Sequence, residues 1–231
     1  MRRRIVDPFE LLLRRADLDK MLRFFTLAEE RLTMAFPRAA RLLAESDDPS
    51  AKQTRGSYRR HYLHDALLSA ARDAGLACEI GWTTPPTWSF PVIRSGSFKL
   101  TIGVVDTRFR GDARALRTTS AYVAEMCKRN EVASPQGWLF DIVDPKDAVI
   151  PDASLGALIV AQYAPHNPDA PAFLGFWVPS EDLSKPYYVR SFDQVIEMLR
   201  SKLELSRRPA KRVVERKPLR RRKPKPGGEK A

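Results

Sequence analysis

The chain has 231 residues, 43% of them hydrophobic, and its 40 Lys or Arg against 28 Asp or Glu give a net charge of +12. That length and apolar content can bury the core of one domain with a helical extension. No apolar run approaches the roughly 18 to 20 residues of a membrane span, and two cysteines with no CxxC spacing argue against a disulfide framework and a structural zinc site.

The basic start Met1-Arg2-Arg3-Arg4 is followed by Asp7-Pro8 and Glu10, which interrupt any signal-peptide core, so a cytoplasmic location is expected. Asp7-Pro8-Phe9-Glu10 has the form of a helix start, with Asp as cap, Pro at the first helical position and Glu reaching back. Apolar residues at Leu11, Leu18, Leu22, Phe25 and Leu32 then predict one helix ending near Phe36-Pro37. A short second helix carries Ala39, Ala40, Leu42 and Leu43 before Ser46-Asp47-Asp48-Pro49-Ser50 breaks the pattern. A third helix is expected from Ser57 to Ala74, stopped by Gly75.

From Ala77 the period becomes that of strands. Cys78–Trp82 is one, and 90–94 and 98–105 flank Ser95-Gly96-Ser97 as a hairpin. A helix is expected over 112–130, then strands at 138–143, 155–163 and 172–178, the last two divided by a Pro-rich connection over 164–171. Tyr187-Tyr188-Val189 reads as a short edge strand, and Phe192 to Leu205 as a final amphipathic helix. Hairpins dominate, so the fold class is α+β: N-terminal helices, then a mostly antiparallel sheet with two packing helices. The implied organisation is an N-terminal helical segment over 1–50, an α+β domain over 51–205 and a basic tail over 206–231.

Charge is distributed unevenly. Residues 207–230 hold twelve basic side chains and two glutamates, so they carry +10 of the +12, and the rest of the chain is nearly neutral. Four prolines, few large apolar groups and mutual repulsion predict disorder there. Such a polycation binds phosphate backbones without reading sequence, by counterion release. Its contacts would be Arg207, Arg208, Lys211, Arg212, Arg216, Lys217, Arg220, Arg221, Arg222 and Lys223. The plainer reading is a solubilising end. A tail without aromatic residues or an amphipathic face is poorly suited to insert in a membrane.

In the body, Asp106-Thr107-Arg108-Phe109-Arg110-Gly111-Asp112 leads from a strand end into a helix start, with Arg114 and Arg117 one turn on. Arg108, Arg110, Arg114 and Arg117 there could hold a phosphate near free helix amides. A solvated loop in which Asp106 and Asp112 neutralise two of these arginines is the competing reading. His61 and His64 can share a helix face, but a metal needs further ligands and His166 is the only other histidine. With Tyr58, Arg59 and Arg60 before them, the pair reads as polar packing or part of a basic face. Trp138 and Trp177 sit in apolar strands and read as core, whereas Trp82 and Trp88 bracket a Thr-Pro turn where exposed base stacking is an option.

Catalytic signatures are weak. There is no GxSxG, GxxxxGK[ST] or GxGxxG, and Cys127 falls in a helical pattern unsuited to a nucleophile. The Asp/Glu-x-Lys spacing of metal-dependent nucleases occurs at Asp144-Pro145-Lys146, where Pro145 cannot sit in a central strand, and at Glu215-Arg216-Lys217 in the tail expected to be disordered. The leading expectation is a non-catalytic protein that associates with DNA or RNA and requires no cofactor or metal. The alternatives are a metal-dependent nuclease-like phosphodiester enzyme using acids such as Glu79, Asp106, Asp141 or Asp144, and a protein-interaction module of the immunity or antitoxin kind.

Overall fold

A computed structural model describes residues 8–13, 16–44, 51–106, 121–133, 152–164 and 167–207. Three helices come first: α1 (Pro8–Leu13), α2 (Leu18–Ala44) and α3 (Ala51–Asp73). The strands are β1 (Ala77–Trp82), β2 (Ser89–Ser95), β3 (Phe98–Asp106), β4 (Leu155–Ala164), β5 (Asn167–Pro179) and β6 (Pro186–Ser191). Helix α4 (Ala121–Cys127) and a 3-10 turn (Asn130–Ala133) lie between β3 and β4, and α5 (Phe192–Arg207) follows β6. The class is α+β, as composition and periodicity indicate.

The strands lie in chain order, β1-β2-β3-β4-β5-β6, and every neighbouring pair is antiparallel except β3 with β4. Two antiparallel meanders therefore meet along one parallel seam, in which Phe98 faces Leu155 and Asp106 faces Tyr163. A parallel pair needs a long crossover, and the chain between β3 and β4 supplies it.

Side-chain alternation assigns the two faces. Leu155, Ala157, Ile159 and Ala161 of β4 join Phe98, Leu100, Ile102 and Phe176 in the main core, against α1, α2, α3 and α5. Leu158 and Val160 point the other way, into a smaller cluster with Trp177, Leu183, Val123 and Cys127 under α4. Phe25 of α2 ties the main core together: its ring meets Phe24, Phe176 and Phe192 edge to face, with centroids 5.1, 6.2 and 5.4 Å away.

Local signals explain the ends of the elements. Gly75, at φ 72°, stops α3; its amide donates to Arg72 O and that of Leu76 to Ala71 O. Gly96, at φ 52°, makes the β2–β3 turn. The N-terminal region departs from expectation in two places. The helix that caps on Asp17 is a new one, since Asp17 Oδ1 accepts the amides of Asp19 and Lys20 at 3.0 and 3.2 Å. It then continues through Pro37 to Ala44 rather than ending there. Ala35, Phe36 and Ala39 are buried on either side of that proline, and their packing outweighs the hydrogen bond it cannot make. The Pro-rich connection expected over 164–171 is also different: β5 begins at Asn167 and takes up the irregularity as register shifts at Gln162 to Ala164.

Candidate nucleic-acid interface

Helix α3 turns Leu63, Leu67, Ala70, Ala71 and Ala74 into the core. That places Arg60 and His64, near the middle of α3, against the turn end of the β1–β2 hairpin, where the chain presents unusual residues to solvent. Trp82 is 61% exposed, Trp88 51%, Ile80 51% and Tyr58 43%. Apart from Met34 and Leu205, these are the exposed large apolar side chains among the described residues.

The turn that carries both tryptophans is tightly bonded. Thr83 N donates to Trp88 O at 2.9 Å, and Trp88 N donates back to Thr83 Oγ1 at 3.0 Å. Thr83 Oγ1 in turn donates to Pro85 O at 2.8 Å, and the Thr87 amide donates to the same carbonyl. The hydroxyl of Thr83 thus helps to fix the backbone of the turn between the two tryptophans. Trp82 and Ser89 are cross-strand partners, so the tryptophans stand at the two ends of one closed turn.

Cationic groups border this surface. The Arg60 guanidinium lies 5.5 Å from the centre of the Trp88 ring, a cation–π contact. Arg59 is buried and lies 5.6 Å from the Phe36 ring, so it holds α3 to α2 rather than facing outward. His64 is half-buried and bonded to the backbone of Ser89. Burial, followed by the charges of Arg60 and His61, pushes its imidazole down to about 4, so His64 is neutral at pH 7. His61 is exposed. The two histidines therefore differ in role, and among the described residues no group of three or more His, Cys, Asp or Glu could hold a metal ion.

The other candidates fall as follows. Arg207 ends α5 and pairs with Asp19 at 2.9 Å. Arg108, Arg110, Arg114, Arg117, Arg208, Lys211, Arg212, Arg216, Lys217, Arg220, Arg221, Arg222 and Lys223 lie outside the described residues, as do Asp141, Asp144, Trp138 and His166. Glu79 is committed to Arg94 at 2.7 Å. Asp106 ends β3. Trp177 is core. Burial pushes the Cys127 thiol up to about 12, with the Asn130 side chain a smaller opposing influence, so it is no nucleophile.

The approach of Arg60 to Trp88 is not readable from spacing, because it depends on how α3 crosses the hairpin. The Thr-Pro turn between two tryptophans is the available signal. Comparisons with protein-family models, curated proteins and solved structures gave no match for this chain.

Proposed function

We propose that this chain associates with single-stranded nucleic acid without catalysing a reaction on it, stacking unpaired bases on Trp82 and Trp88. The observation that carries the reading is the exposure of two indoles, 61% and 51%, at the two ends of a hydrogen-bonded turn, with Arg60 against Trp88. Tryptophan is highly buried on average, and exposed aromatic rings with an arginine nearby are what base stacking uses. Each stacked base contributes about 1–3 kcal/mol with little sequence preference. The basic residues from Arg207 onward add phosphate attraction that is equally indifferent to sequence.

Fluorescence anisotropy with single-stranded and duplex oligonucleotides at two salt concentrations tests this. Trp82→Ala and Trp88→Ala are each expected to weaken single-strand binding about tenfold with little change in salt dependence. Removing residues 208–231 is expected to flatten the salt dependence instead. Single-strand affinity unchanged in the double tryptophan variant would refute the proposal.

A further inference from the structure

On the α4 side of the β1–β2 hairpin, the sheet and α4 enclose a cleft of about 560 Å³, within the range of small-ligand sites. One wall is aromatic: the Phe90 and Tyr122 rings stack 3.8 Å apart and 9° from parallel. Gly81 makes this possible, because a Cβ there would meet the Phe90 ring at 2.5 Å. Trp82, Thr83 and Thr84 form the rim.

The charged side chains that line the cleft are Glu79, Lys99 and Glu125. Arg94 and Lys99 are cross-strand partners on β2 and β3, so two cations stand side by side on the face toward α4. Like charges in that position repel. Glu79 takes up Arg94 at 2.7 Å, and Glu125 pairs with Lys128. Lys99 forms no ion pair among the described residues, although it lines the cleft and is half-buried. An ammonium in a concave site beside an aromatic wall selects a ligand with a planar ring and an anionic group a few bonds away.

We infer that this cleft binds a mononucleotide, its base beside the Phe90–Tyr122 wall and its phosphate at Lys99. Trp82 borders both the cleft and the exposed tryptophan surface. A strand stacked on that surface can therefore place its phosphorylated terminal nucleotide in the cleft. This last assignment rests on the nucleic-acid reading above, whereas the cleft's preference for a ring with a phosphate does not.

The test is calorimetric titration of the full chain with adenosine 5′-monophosphate, adenosine and inorganic phosphate. Saturable 1:1 binding of the monophosphate is expected, with adenosine and phosphate each about tenfold weaker. Lys99→Met, and Lys99→Gln as a second variant, are expected to lower monophosphate affinity to that of adenosine with thermal unfolding unchanged. No saturable binding to the wild-type chain, or equal binding by the folded Lys99 variants, overturns the inference. Oligonucleotides with and without a 5′-phosphate then separate the two sources of the ligand. A roughly tenfold preference for the phosphorylated end supports the strand-end assignment, and equal affinity overturns it. Oligonucleotide binding without monophosphate binding sinks the cleft but leaves the tryptophan surface standing; the reverse result sinks the surface and leaves the cleft.

Discussion

The carboxamide of Asn130 and the backbone of Gly156 bond reciprocally: Gly156 N donates to Oδ1 at 2.8 Å, and Nδ2 donates to Gly156 O at 2.8 Å. The same Nδ2 donates to Pro179 O at 2.7 Å. Asn130 is fully buried, and it closes the β4–β5 ladder where Pro179 has no amide to offer. Replacing it by alanine strands a buried amide and two carbonyls. Asn130→Ala is expected to cost about 3 kcal/mol in urea unfolding, and Asn130→Asp at least as much, since it keeps one acceptor but buries a charge. A cost below about 1 kcal/mol would show that these groups find other partners.

Gly156 is also a point of close approach between α4 and the sheet. A Cβ there would meet Met126 O at 2.7 Å and Cys127 Sγ at 2.9 Å, neither at the end of a flexible side chain. Gly156→Ala is expected to destabilise by about 1–3 kcal/mol and to loosen α4. Faster amide exchange at 121–127 than in β2 would report that loosening.

The two cysteines should react differently with a thiol reagent. Cys127 is buried, and with its thiol pushed to about 12 only about one in ten thousand ionises at pH 8. Cys78 is only half-buried. Ellman's reagent is expected to modify one thiol per folded chain and two after denaturation. Two fast thiols in the folded protein would contradict the packing of α4.

Helix α3 should respond to acid through His64. Its imidazole titrates near 4 in the folded protein, against 6.5 for an unperturbed histidine side chain. Above pH 6.5 the imidazole is neutral in both the folded and the unfolded chain. Between 6.5 and about 4 the unfolded chain binds a proton that the folded chain refuses, so stability falls as pH is lowered through this window. The loss reaches about 2–3 kcal/mol. His64→Gln is expected to flatten the dependence of unfolding free energy over that range, and a slope equal to wild type would count against it.

Much of this architecture is legible in the sequence, because the signals are local. Gly75 stops α3 by its own backbone conformation, and Ser95-Gly96-Ser97 turns β2 into β3 whatever surrounds it. Pro37 misleads for the opposite reason: its local preference ends a helix, yet Phe36 and Ala39 find a distant core to bury against. The parallel pairing of β3 with β4 is not encoded in either strand, and depends on a long crossover. At the candidate interface, Trp82 and Trp88 are visible as a bracketed turn, but their exposure and the position of Arg60 depend on which elements leave them uncovered. The neutrality of His64 likewise comes from burial rather than from its neighbours in the chain.

The placement of Phe25 constrains the order in which the molecule can mature. Its ring, from one of the first helices, rests on Phe176 and Phe192, which come late in the chain. During synthesis α3 can cover part of the apolar stripe of α2 at once, but the side carrying Phe25 waits for the second meander. The first meander can close early, since its pairings are local, but that side of the helix has to wait. A nascent chain halted before Phe176 lacks both rings on which Phe25 finally rests.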